Sequence, residues 1–229
     1  MSKWQATFYH KRNKVLYQVE ENRVITKIEE YDKKRCKIYI DEEFSFLLYK
    51  GELKEYEIKQ GMSITEDIYD TIVTELLPKR AKKRCLNLLQ KKNYTEYKLR
   101  EKLKEGWYPV EIEEEAIAYV KSFHYIDDYR YACDYIFYHK NLESKKKIED
   151  KLKLKGIQQD ILQQAFMDSY EEGEEQQIEL EQAYKLLQKK HFDSENMDWK
   201  EIQKIYAYLI RKGISSSVIK KAMAFHHSI

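Results

Sequence analysis

Glycine and proline are scarce, with six Gly and two Pro in 229 residues. Sandwiches and barrels need many such turn-makers, so the shortage argues against a turn-rich β architecture and for long helices. No apolar run approaches the roughly 20 residues that a bilayer-spanning helix requires. The opening "MSKWQATFYHKRNKV" lacks the apolar centre of a secretory signal. Cysteine is limited to Cys36, Cys85 and Cys133, an odd number without CxxC spacing. That pattern fits reduced thiols used as small core residues in a cytoplasmic protein. Catalytic signatures are missing too: there is no GxGxxG, GxxxxGK[ST], GxSxG or HExxH. The six His lack metal-ligand spacing, and the terminal "FHHSI" supplies too few ligands for a zinc site. The expectation is a protein with no catalytic residues, no metal and no cofactor.

What is present is charge and tyrosine. Charged residues make up 36% of the chain and hydrophobic ones 42%, and there are 20 Tyr, enough aromatic surface for a core. Net charge is only +2, but it is segregated. Residues 79–105 carry 11 Lys plus Arg against 3 Glu, a net of +8, whereas residues 171–181 carry six Glu and no base. Such segregation concerns partners and steering rather than fold. Most carboxylates interleave with Lys at helical spacing and read as i,i+4 pairs on a solvated face.

Residues 1–24 form an aromatic, basic lead-in that is either a strand pair or an extension. In "ITKIEEY", "RCKIYIDEEF", "FSFLLYKGEL" and "LKEYEIKQG", apolar and polar residues alternate, predicting short antiparallel strands with "DEE" and "KGE" as turns, although one of these runs could be a helix. Residues 1–62 are therefore expected to form a β-containing region. Ser63 and Glu66 then have capping-box spacing, predicting a connecting helix over 63–78 that Pro78 ends.

From residue 79 the period is helical. Ile148, Leu152, Gly156 and Ile157 have the spacing of Ile205, Leu209, Gly213 and Ile214. Leu99, Leu103, Trp107 and Tyr108 form a third copy, in which Gly106 falls one place early. Downstream, Ala116, Ala165 and Ala222 occupy matching positions where two helices can approach closely. The pattern predicts a helix, a stop at a left-handed glycine, and a second helix. Thr95 and Ser144 are its expected N-caps, and Asp198 with Glu201 forms a capping box one turn earlier in the last copy. A further helix precedes each copy, at 80–92, 128–140 and 174–190. The fold class is therefore mainly α: three tandem three-helix repeats, 79–126, 127–170 and 171–229, stacked in an elongated, curved array. Such arrays present long surfaces and rarely enclose a catalytic pocket.

In "YIDDYRYACDYI", Asp127 or Asp128 can cap the helix that follows, with Arg130 and Tyr131 in its first turn. The clusters Lys82, Lys83, Arg84 and Lys145, Lys146, Lys147 read either as solvated faces or as one basic stripe brought together by stacking. Such a stripe, near tyrosines, suits phosphate contacts. Lys151 extends the second cluster.

The segments "AKKRCLNLLQKKNYTEYKLREKL", "YIDDYRYA" and "IEDKLKLKGI", with the β-rich stretch before them, resemble the RecX family of bacterial recombination regulators from about residue 25 onward. The resemblance implies a cytoplasmic, monomeric, non-enzymatic inhibitor of the RecA recombinase. It would lie in the groove of the RecA–DNA filament and reduce ATP hydrolysis and strand exchange. Lys82, Lys83, Arg84, Arg130, Lys145, Lys146, Lys147 and Lys151 would then face RecA or DNA, while Asp127, Asp128, Tyr131, Gly156 and Gly213 would organise the units. The alternatives from the residues alone are a helical-repeat protein scaffold and a direct binder of single-stranded nucleic acid.

Overall fold

The computed structural model describes residues 23–225, which fall into two compact units dividing at Thr71. The first 22 residues, most of the lead-in, and the His226–His227 tail lie outside the described residues. In the first unit the alternating segments form β1 (Arg23–Glu30), β2 (Arg35–Ile40) and β3 (Glu43–Tyr49). With β4 (Ser63–Ile64) they make an antiparallel sheet of order β3-β2-β1-β4. Ile25, Ile38, Ile40, Phe46 and Leu48 are buried with the period of two of a strand, and in β3 Leu47, between Phe46 and Leu48, is buried as well. Asp41 and Glu42 are both left-handed, at φ 50° and 71°. They turn β2 into β3, where a tight hairpin demands positive φ.

The structure corrects three local expectations. "KGE" is not a turn but the start of α1 (Lys50–Glu55). There the Glu52 carboxylate accepts the Tyr49 N–H at 2.7 Å, half of a capping box. The strand expected over "LKEYEIKQG" does not form: Leu53–Glu55 complete α1, the rest is turn and irregular chain, and only Ile58 in it is buried. Ser63 is no helix cap, because its backbone pairs with Val24 in the sheet. Thr65 caps α2 (Glu66–Asp70) instead. Pro78 does not end the helix. A π-helical stretch, Thr71–Leu76, precedes α3 (Leu77–Leu89), and Pro78 sits in the first turn of α3. At that place its missing N–H costs little.

The second unit contains three three-helix repeats. They are α3, α4 (Glu96–Lys104) and α5 (Val110–Ser122); then α6 (Asp128–His139), α7 (Lys145–Leu154) and α8 (Gln159–Ser169); then α9 (Glu174–Lys189), α10 (Trp199–Lys212) and α11 (Ser216–Phe225). In each repeat the first helix packs on the third. Small residues allow this close approach: Ala81, Ala132 and Ala183 on the first helices, a constant 51-residue step, and Ala116, Ala165 and Ala222 on the third, all fully buried. The second helix contributes the predicted stripe, Leu99/Leu103, Ile148/Leu152 and Ile205/Leu209. Each of these side chains stabilises its core by about 1.5–3 kcal/mol.

Candidate functional site at the repeat junctions

The same polar latch joins successive repeats. Thr95, the N-cap of α4, accepts the Lys98 N–H and donates to the Lys155 carbonyl at 2.6 Å. Ser144, the N-cap of α7, donates to the Lys212 carbonyl at 2.7 Å. The Thr95 hydroxyl accepts from its own helix and donates to the neighbouring repeat at once, whereas Ser144 makes only the bond to the neighbour. Asp198 caps the last copy and can only accept, and no further repeat follows it in the described residues.

The latch explains the glycines more fully than helix termination does. Gly156 and Gly213 are left-handed, at φ 83° and 88°. A Cβ on Gly156 would collide with the Tyr97 side chain, and one on Gly213 with the Ser144 Oγ. In the first repeat Trp107 takes the same left-handed place at φ 58°, and among the described residues no three-helix repeat precedes it. This accounts for a side chain at 107; at Gly106 the reason is local, since a Cβ there would meet the Tyr108 ring at 2.6 Å.

The two aspartates divide their work. Asp127 caps its own helix by accepting the Arg130 N–H at 2.9 Å. Asp128 reaches back to the previous repeat and accepts the Glu96 N–H at 2.8 Å. Burial pushes the Asp128 carboxyl above its usual range; the Glu96 N–H opposes this, and the nearby Glu96 carboxylate adds to it. The acidic segment is tied down as well: Lys140 meets Glu174 at 2.6 Å and Lys145 meets Glu175 at 2.7 Å.

The two basic clusters occupy non-equivalent places in their repeats. Lys82, Lys83 and Arg84 lie within the first helix of one repeat, whereas Lys145, Lys146 and Lys147 open the second helix of the next. Repeat equivalence therefore places Lys147 with Lys98, and Lys82 with Cys133. Lys82 pairs with Glu115 at 2.7 Å and lies over the Tyr119 ring. Arg84 donates to the Lys102 carbonyl, and Lys151 pairs with Glu143 at 2.7 Å. Lys83, Arg130 and Lys146 are exposed. Lys147 enters a groove at the junction of the second and third repeats.

That groove, of about 280 Å³, is lined by Lys147, Lys185, Lys189 and Lys212 beside Tyr208, with no carboxylate in its wall. Its counterpart at the preceding junction, of about 770 Å³, is aromatic. Tyr131, Tyr135 and His139 stack along α6, with Tyr135 and His139 only 4.0 Å apart and 8° from parallel. The Lys155 ammonium lies 5.6 Å from both tyrosine rings, within reach of a cation–π attraction.

Known proteins share this organisation. The family model described as RecX, third three-helix domain, matches residues 177–223. A crystal structure of regulatory protein RecX superposes with a TM-score of 0.57 at 27% identity, covering 87% of this chain and 99% of that one. Regulatory protein RecX of Clostridioides difficile is 29% identical over 87% of this chain and 94% of its own length. That of Clostridium acetobutylicum is 32% identical over 90% of this chain and 96% of its own length. The chain belongs to the RecX family. The RecX resemblance in "YIDDYRYA" now has a physical basis: Asp127 and Asp128 cap two helices in adjacent repeats. The RecX reading of the sequence missed Lys185, Lys189 and Lys212. They are scattered over two helices, and only the inferred offsets between repeats, 51 for α9 and 57 for α10, would have grouped them with Lys147.

Proposed function

We propose that the chain is a modulator of the RecA recombinase, acting on the RecA–DNA filament to lower its ATP hydrolysis and strand exchange. The observation that carries this reading is the alignment with regulatory RecX proteins over nine-tenths of the chain. The repeats support it, since tandem helical units expose extended surfaces suited to a polymeric partner. Among the described residues no His, Cys, Asp and Glu group could hold a metal ion, and no helix is long and apolar enough to cross a membrane. We read the chain as a non-enzymatic, monomeric, cytoplasmic regulator. Lys82, Lys83, Arg84, Arg130, Lys145, Lys146, Lys147 and Lys151 are its proposed contacts. The pairs made by Lys82, Lys145 and Lys151 are no obstacle, because exposed ion pairs contribute only about 0–1 kcal/mol and exchange readily.

The test is RecA's ATP hydrolysis on single-stranded DNA with this protein titrated in. Inhibition well below one copy per RecA, weakened by Lys146→Glu/Lys147→Glu, is the expected result. No effect at any ratio by the folded protein would move the reading to a helical scaffold for another protein.

A further inference from the structure

We propose that the groove between the second and third repeats is a docking site for an acidic protein segment that carries an apolar anchor residue. The assignment concerns the chain alone and does not depend on RecA.

The four lysines of this groove differ from their neighbours. In the second repeat Lys140 and Lys145 pair with Glu174 and Glu175, Lys151 with Glu143, and Lys153 with Glu149. Among the described residues Lys147, Lys185, Lys189 and Lys212 pair with no carboxylate, and the groove wall holds none. Lys185 and Lys189 stand four apart on α9, where like charges repel. Lys147 and Lys212 are half-buried beside them, and partly buried charges are screened less by salt. The fold thus carries a local repulsion that an anion from outside would relieve.

The wall of the groove says which anion. Leu142 lines it and is 77% exposed, together with half-buried Leu186 and buried Ile214. An aliphatic wall gains from another apolar side chain and nothing from a phosphate. The one ring there is Tyr208, and the Lys190 and Lys212 ammonium groups lie over it, 4.7 and 5.3 Å from its centre. Its faces are engaged by cations and give a base no platform. At about 280 Å³ the groove is at the lower limit of ligand pockets, with room for a side chain or two of a longer segment. The first junction lacks this chemistry. Asp134 and Tyr138 stand there in place of Lys185 and Lys189, and Lys98, the counterpart of Lys147, pairs with Glu101.

The experiment is fluorescence anisotropy of two labelled peptides with the full chain and no RecA, across a salt series. One peptide is a glutamate 16-mer with leucine at two places four apart. The other has glutamine at those places and the same charge. The leucine peptide should bind about tenfold more tightly, the gain from burying roughly one leucine. Lys185→Gln/Lys189→Gln changes exposed positions and should weaken both peptides and flatten their salt dependence. Leu142→Gln, also at an exposed position, should abolish the advantage of the leucine peptide and leave the salt dependence as it was. Circular dichroism checks that each variant is folded. Equal binding of the two peptides would overturn the proposal. So would no binding of either at low salt, or a lysine variant with the wild-type salt dependence. A Leu142→Gln protein that still prefers the leucine peptide would place the anchor elsewhere and overturn it too. A dT 16-mer weakened by both variants to the same degree as the leucine peptide would assign the groove to nucleic acid instead. Because RecA is absent, failure here leaves the ATP hydrolysis test standing, and the reverse also holds.

Discussion

The Thr95 hydroxyl bonds the Lys155 carbonyl at 2.6 Å across 60 positions of sequence, and Ser144 makes the same bond to Lys212 across 68. Thr95 and Ser144 are buried, and Lys155 and Lys212, which supply the carbonyls, are half-buried. Thr95→Val keeps the shape and removes both bonds of the hydroxyl, the N-cap bond and the one to Lys155, and should cost about 1–2 kcal/mol. Thr95→Ser should stay within about 1 kcal/mol of wild type, because it keeps both bonds and loses only a methyl group. Urea unfolding of the two variants decides the matter, and equal stabilities would remove the latch from the account.

Glycine substitutions can separate backbone strain from close approach. Gly156, Gly173 and Gly213 are all left-handed, at φ 83°, 80° and 88°. A Cβ on Gly173 meets nothing within 4 Å, while those on Gly156 and Gly213 collide with the neighbouring repeat. Gly173→Ala should therefore cost only the left-handed penalty, about 1–2 kcal/mol. Gly156→Ala and Gly213→Ala should cost more, since overpacking adds about 1–3 kcal/mol. Three equal losses in melting or denaturant midpoints would mean that only the backbone conformation matters.

Much of this fold is legible in the sequence. The threefold apolar spacing, the caps Thr95, Ser144 and Asp198 and the left-handed Gly156 and Gly213 all follow from local rules. Those rules act over a turn or two of chain. What escaped them is longer in range or ambiguous in period. "LKEYEIKQG" alternates like a strand yet starts as a helix, because Glu52 caps it and the sheet has no place for the run. Pro78 looks like a breaker until the π-helical turn before it makes room. The candidate site was least legible. Lys147 was singled out as one of three adjacent bases, but it shares a groove with Lys185, Lys189 and Lys212, while Lys145 turns to Glu175. Neighbours in sequence part company on a helix, and groups from separate helices meet only after the repeats stack.

The thiols should differ sharply in reactivity. Cys36 and Cys85 are buried, and burial pushes both thiols up, that of Cys85 to about 11. A thiol held protonated and covered is a poor nucleophile. Cys133 is partly exposed on α6. Titration of the native protein with an aromatic disulfide at pH 8 should label one thiol quickly and the other two only on unfolding. Rapid labelling of all three would contradict the described burial. Mass mapping should place the fast site at Cys133, and Cys133→Ser should abolish the fast phase without altering the slow one.

Asp128 gives the junction a pH dependence of defined sign. Its folded pKa lies above the unfolded value, so the native state holds this proton more tightly. Its contribution to stability is greatest below about pH 4, the unfolded carboxylate value, and is lost as pH rises through the folded pKa. Glu96 works the other way: burial would raise it, but Lys121 and Arg100 hold it below the usual range, so its contribution is lost as pH falls. Asp128→Asn isolates the first effect, because the amide oxygen can still accept the Glu96 N–H without a charge to bury. Between about pH 4 and 7 the Asn variant should gain on the wild type as pH rises. Asp128→Ala loses the acceptor altogether and should be less stable than the Asn variant by about 1 kcal/mol throughout. Denaturant midpoints for the three proteins at several pH values give the answer. A wild type that gains on the Asn variant as pH rises would place the Asp128 pKa below its unfolded value and assign the carboxylate a favourable charge partner across the junction.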